Sequence, residues 1–215
     1  MHGGTKYLFL AIILGYMALA LPTEAALLQV TPAEGETLPT DTAEKAASIK
    51  NVTKVERYLL VKTQPHDVIG VEAGAPLRIV ASGGDILVAK LDAGKGFTKA
   101  DESRNVAIIG KVYAEDYGYR GGMGAMAAMK HFLEIGQTFN FTEQGPRIRV
   151  LGTFSAKPES EASKVFLPLA TAQKLFERSG KVSHLFITVK GDSEAIAKEL
   201  QTALGGGVKV KVVAR

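Results

Sequence analysis

Residues 182–213 read VSHLFITVKGDSEAIAKELQTALGGGVKVKVV, and three changes of texture divide them. β-Branched and aromatic residues fill 182–190, and Asp192 stands where a helix N-cap belongs. Apolar residues then recur at helical spacing over Ser193–Leu204, Gly205-Gly206-Gly207 stops the helix, and valine alternates with lysine from 208 to 213. The pattern predicts a strand, a helix and a second strand.

The same order stands near the start of the chain. LLQVT (27–31) reads as a strand and PAEGETLPT (32–40) as a loop marked by proline and glycine. Thr40 or Asp41 opens a helix with Glu44 as its early acid and Ala43, Ala46, Ala47 and Ile49 on one side. KVERYLLVKTQ (54–64) follows as a strand alternating around Val55, Tyr58 and Leu60 and ending at Pro65. Residue identity between the two units is negligible, so the repetition is one of structure, not of sequence.

Between them the texture changes to short apolar strands and glycine turns: VIGVEA (68–73), LRIVASGGDILVAKL (77–91) and NVAIIG (105–110). TFNF (138–141) and RIRVLGTF (147–154) flank the turn Glu143-Gln144-Gly145-Pro146 and predict a hairpin. The expected fold class is α+β: a split pair of β-α-β units, formed by 26–75 and 165–215, with a β-rich insert at 76–164.

Lys6 precedes the unbroken apolar run YLFLAIILGYMALAL (7–21), followed by Pro22 and the small residues Ala25 and Ala26. These are the n-, h- and c-regions of an export signal in order. Fifteen apolar residues rise about 22 Å as a helix, short of the roughly 30 Å hydrocarbon core. Cleavage after Ala25 and retention as an anchor lengthened by 25–28 both remain open. Either reading sets 1–25 apart and puts 26–215 outside the cytoplasm, and no cysteine follows the run to carry a lipid.

The chain has 215 residues, 46% of them apolar, enough to bury a core. A net charge of +4 is spread over scattered basic residues such as Lys45, Lys50, Lys54, Arg57 and Lys62, without the runs or aromatic motifs of a nucleic-acid binder. Absence of cysteine excludes disulfides, thiol catalysis and thiolate metal sites.

No local signature of catalysis is present. Gly-x-Ser-x-Gly and Ser-x-x-Lys do not occur, and His2, His66, His131 and His184 lack metal-binding spacing. Gly94-Lys95-Gly96 and Gly110-Lys111 lack the spacing of a phosphate loop and its following hydroxyl. The acids Asp101-Glu102, Glu115-Asp116 and Glu159 with Glu161 neighbour lysines and turn residues and read as solvated faces. Asn51-Val52-Thr53 and Asn140-Phe141-Thr142 match a glycosylation triplet that is common by chance. The expectation is no catalytic residue, no cofactor and no metal, although an enzyme with a distributed site would leave no local trace. Met123, Met126 and Met129, spaced by three within 117–133, suit either an adaptable docking stripe or a short helix facing its own core.

Four phrases in order resemble the periplasmic core domain of MacB-type ABC-transporter permeases, a class that includes lipoprotein-releasing and FtsX-like permeases. The first is LDAGKGF (91–97) with Asp101, and the second is VAIIGKVYA (106–114). IGQTF (135–139) followed by RVLGTF (149–154) is similar to the family's hairpin, and VFLPLATAQKL (165–175) to its Pro-Leu helix start. The resemblance spans about 27–213 and implies a porter-like subdomain built from both ends, with a small β-rich subdomain inserted. Family permeases continue into three further membrane helices, whereas this sequence ends at Arg215, and 118–134 looks inserted.

The resemblance implies a non-enzymatic extracytoplasmic component of a MacB-like export system, either a stand-alone core domain or the first part of a split permease. Its expected partners are a membrane permease subunit and an ATPase, or a periplasmic adaptor protein, with the bilayer reached through 1–25 if uncleaved. The expected contact surfaces are the loop after Thr31, the hairpin tip 143–146 and the 117–133 stretch. A second reading is a soluble periplasmic module that takes an apolar ligand or peptide in a cleft between its subdomains.

Overall fold

The computed structural model describes residues 25–39, 41–81, 84–120, 132–141 and 144–214. The apolar run 7–21 and most of 117–133, including all three spaced methionines, lie outside them, as do His2, His131 and part of the hairpin turn.

Each terminal unit forms as the residue pattern predicts. The first comprises β1 (Ala25–Pro32), α1 (Thr42–Ala47) and β2 (Val52–Val61). Of the helix face predicted to be apolar, Ala46 is buried and Ala43 and Ile49 pack against the core, but Ala47 is exposed. The short helix leaves Ala47 in its last turn, on the solvent side. The second unit comprises β11 (His184–Lys190), α4 (Ser193–Leu204) and β12 (Val208–Ala214). The Asp192 carboxylate accepts from the N–H groups of Glu194 (3.0 Å) and Ala195 (3.2 Å), which would otherwise be unpaired at the helix start. At the other end Gly205 ends the helix at φ 79°, a conformation open mainly to glycine.

The two units interleave. β1 pairs antiparallel with β11 on one side and with β12 on the other, while β11 pairs antiparallel with β2. The order β12-β1-β11-β2 is therefore that of a ferredoxin-like split β-α-β sheet. The intervening segment supplies β3 (Val68–Val71), the separate hairpin β4 (Arg78–Val80) and β5 (Ile86–Val88), β6 (Lys90–Gly94), β7 (Val106–Gly110) and α2 (Lys111–Arg120). It goes on through β8 (Thr138–Phe139), β9 (Ile148–Ser155), β10 (Val165–Pro168) and α3 (Leu169–Leu175). The sheet continues past β2 as β3-β10-β7-β9-β6, with β8 paired to β9 and the pairs β3–β10 and β7–β9 parallel. The fold is thus mixed α/β on one large mixed sheet.

Both faces of this sheet are covered. The helices pack on one face over Leu28, Val30, Leu59, Ile187 and Val189, and the β4–β5 hairpin lies on the other over Tyr58, Ile69, Phe166 and Phe186. This corrects the expected alternation in β2. Val55 and Leu59 join the helix layer, while Tyr58 and Leu60 join the hairpin layer, because a strand buried on both faces carries apolar residues at both parities.

Two expected surface acids are buried. Asp101 is 1% exposed and accepts from the N–H (3.0 Å) and hydroxyl (2.6 Å) of Thr98. The Thr98 hydroxyl, more than any other neighbour, holds the carboxyl below the usual aspartate range. Glu161 is buried with Lys164, whose ammonium it meets within one turn. Neighbouring lysines in sequence signalled solvent, whereas in the fold they or adjacent hydroxyls satisfy these acids.

In the two segments excluded as phosphate loops, Gly94 and Gly110 are packing points. A Cβ on Gly110 would lie 1.8 Å from the Ala162 carbonyl oxygen, and one on Gly94, at φ 83°, would lie 2.1 Å from that of Leu151.

Gly110→Ala is expected to lower stability by about 3 kcal/mol through this backbone clash, while Gly96→Ala, with nothing within 4 Å, stays within about 0.5 kcal/mol. Urea unfolding monitored by circular dichroism reads both. Asp101→Ala should cost about 1–3 kcal/mol at neutral pH. Since the folded carboxyl titrates below its unfolded value near 3.9, its contribution is full above that pH and is lost as pH falls through the depressed value. The gap between variant and parent should therefore narrow below about pH 4, and a constant gap down to the acid limit contradicts the assignment.

Candidate functional site

Strand direction gives the sheet two ends. Ala25, Val52, Lys190 and Ala214 lie at the end where β1 and β2 begin, here the near end, since Ala25 pairs with Lys190 and Leu27 with Ala214. At the far end β1 and β2 finish and β11 and β12 begin, with Pro32 opposite Val208 and Tyr58 opposite His184. The loop after Thr31, one of the expected contact surfaces, therefore stands at the far end.

A groove of about 240 Å³ opens there. Its walls are Gly35–Thr37 on one side and Leu59–Lys62 on the other, closed by Arg178, Ser183 and His184. The loop is held in place by Leu38, buried at 1%, whose N–H donates to the Val182 carbonyl at 2.7 Å, and by an Arg178–Glu36 ion pair at 2.7 Å. Ser183 closes the base: its N–H donates to the Tyr58 carbonyl (2.8 Å), and its hydroxyl accepts from the Leu60 N–H (2.7 Å). The predicted strand start at 182 shifts to His184 because Val182 and Ser183 make these bonds instead of ladder bonds.

His184 and His66 occupy different surroundings. Burial pushes the His184 imidazole down to about 4, so the ring is neutral at pH 7. It sits 2.8 Å from the Ser183 hydroxyl and stacks on Phe186 with ring centroids 6.4 Å apart. His66 lies 3.7 Å from Asp116 and edge-on to Tyr113. Among the described residues no cluster of three histidines or acids is placed to hold a metal.

Beneath the β4–β5 hairpin lies a constellation that the residue pattern did not single out. Glu56, 3% exposed, meets Lys54 at 2.7 Å and Arg78 at 3.2 Å. Arg78 also lies over the Phe186 ring, 5.3 Å from its centroid, and Tyr58 meets that ring edge-on at 5.0 Å. The Tyr58 hydroxyl donates to the Pro76 carbonyl at 2.7 Å, and burial raises its pKa. A glutamate inside the predicted strand 54–64 was the available sign, but Arg78 stands 22 residues away. These contacts fasten the hairpin to the terminal units.

The base of the β8–β9 hairpin forms, with Phe139 opposite Ile148. Edge-on ring contacts run from Tyr113 through Phe139 and Phe141 to Phe176, two residues before Arg178 in the groove wall. At the end of the 117–133 stretch Leu133 is buried while Phe132, and Ile135 just beyond, are 44% and 46% exposed. A further cavity of about 230 Å³ lies between Ala43, Arg57, Leu169 and Gln173. Both cavities are smaller than the roughly 300–1,000 Å³ typical of a small-molecule site.

Comparison with known proteins places this geometry in a family. The chain resembles the periplasmic region of MacB from Actinobacillus actinomycetemcomitans at a TM-score of 0.57 and 13% identity, covering 87% of this chain and 89% of that one. It also resembles the extracellular domain of the noncanonic ABC-type transporter YknZ from Gram-positive bacteria, at 0.53 and 13%, covering 87% and 100%. These likenesses show the fold. No curated protein sequence matches significantly. The model of the MacB-like periplasmic core domain matches residues 8–205, and the chain therefore belongs to that family, the periplasmic domains of MacB-like ABC-transporter permeases.

Proposed function

We propose that this domain works without catalysis, by contact and mechanical coupling, as the extracytoplasmic part of a MacB-like ABC export system. Residues 1–25 act as signal peptide or membrane anchor, and 26–215 form the core domain. Within it, 26–75 and 165–215 make a porter-like subdomain and 76–164 an inserted β-rich one. Its partners are a membrane permease subunit and its ATPase on one side and a periplasmic adaptor or cargo on the other.

The observation that carries this reading is the pairing of Leu27 with Ala214. Both ends of the described chain leave the sheet on adjacent strands at the same end. The apolar run ends only four residues before Ala25, so an anchor held in the bilayer would keep the near end close to it. A displacement arriving there enters β1 and β12 together and passes to the far end through their ladders.

Because the chain contains no cysteine, a single introduced thiol is the only one available to label. Lys50→Cys, beside the near end, and Glu34→Cys, in the far loop, are both at exposed positions. Both should react with a membrane-impermeant maleimide in intact spheroplasts. With a photo-crosslinking maleimide, the Lys50 position should capture a multi-helix membrane protein and the Glu34 position a protein outside the membrane. Labelling only after lysis, or the same adducts from both positions, would remove the proposal.

A further inference from the structure

β2 and β11 end out of step. Their last paired residues are Tyr58 and His184, yet β2 runs on to Val61. Over Leu59–Val61 it keeps β3 on one side, but on the side where β11 would continue it faces the groove. The Leu60 N–H points to that side, because it donates to the Ser183 hydroxyl. In a strand the N–H and C=O of one residue point the same way, so the Leu60 carbonyl also faces the groove, where no strand follows. The opposite wall, Gly35–Thr37, is pinned at Leu38, so the groove beside Leu60 has two walls.

Charge narrows the choice of occupant. Lys62 is exposed beside the groove, and no carboxylate among the described residues pairs with it. Arg178 closes the groove already paired with Glu36 of the opposite wall at 2.7 Å, and the neutral His184 ring adds no charge, so the charge left to an occupant is that of Lys62. A lysine at an open strand edge also discourages indiscriminate pairing, but an ordinary sheet edge has one wall and this one has two.

We infer that the groove is a docking slot for an extended segment of a partner protein that carries an acidic side chain. The segment adds to β2 along the line that β11 leaves, donates a backbone N–H to the Leu60 carbonyl and sets its acid against Lys62. The slot lies at the far end, away from Ala25, which disfavours a lipid surface as its occupant. The inference rests on the contact reading above and adds the chemistry of the partner.

The test uses the full-length chain in mild detergent and two fluorescein-tagged peptides, Thr-Val-Glu-Val-Thr and Thr-Val-Lys-Val-Thr, followed by anisotropy. The acidic peptide should bind saturably, with the basic one weaker by about tenfold or more, and Lys62→Glu should reverse that order. Thr37→Trp, which fills the opposite wall, should abolish binding of both, with circular dichroism reporting that each variant is folded. Equal binding of the two peptides, an order unchanged in Lys62→Glu, or a self-associated chain whose dissociation requires that substitution would overturn the inference. If it fails while the Glu34 position still captures an outer partner, the contact reading survives and only the slot is lost; loss of that adduct as well removes both.

Discussion

β1 is hydrogen-bonded on both sides by strands from the far end of the polypeptide. Ala25–Val30 pair with 185–190 of β11, and Leu27–Pro32 with 208–214 of β12. Neither terminal β-α-β unit can complete a sheet alone, since its two strands are parallel and separated by a strand's width that the other unit fills. The first and last described segments must therefore meet before either is stable. The 122 residues between β2 and β11 are free to fold outward as an extension of the sheet, provided their two exits lie close together.

That extension is attached on both faces by different chemistry. On the helix face the attachment is apolar, through Val68, Val165, Leu167 and Ala172. On the other it depends on a buried glutamate that meets an arginine from the β4–β5 hairpin, with Phe186 beneath the guanidinium. A charge pair of this kind is weak as a source of stability but costly to break one-sidedly, so it fixes where the hairpin sits more than how strongly it holds. The structure thereby gives the insert a defined position on the terminal units.

Local chemistry made much of this legible in the residues. The cap at Asp192, the helix through Leu204 and the glycine stop are decided within a few positions of one another, and the structure has them at the expected residues. The base of the hairpin, Thr138–Phe139 against Ile148 and Arg149, was likewise readable from the flanking strands. Long-range choices were not. Nothing near Val55 or Tyr58 says that β2 is covered on both faces, so its alternation was assigned to one. Asp101 and Glu161 looked solvated beside their lysines, because burial depends on what packs above them. The groove was invisible for the same reason: the loop after Thr31 could be suspected as a surface, but its facing wall exists only because β11 starts short of the end of β2. The family resemblance, in contrast, drew on four phrases spread over 91–175, and the match over 8–205 agrees with it.

The proposed coupling role has a route in the described part of the sheet. At about 3.3 Å per residue, the eight residues of β1 span roughly 26 Å from near end to far end. Displacing Ala25 and Ala214 together along the strands loads β1 against β11 in shear, so its six register pairs resist together instead of opening one by one. The 33–38 loop is attached both to the end of β1 and, through the Leu38 N–H on the Val182 carbonyl, to the start of β11, so it follows these two strands as one body. On the proposed coupling role, motion delivered at one end of the sheet reaches the loop and groove at the other end through these ladders, and this needs no reactive group along the path.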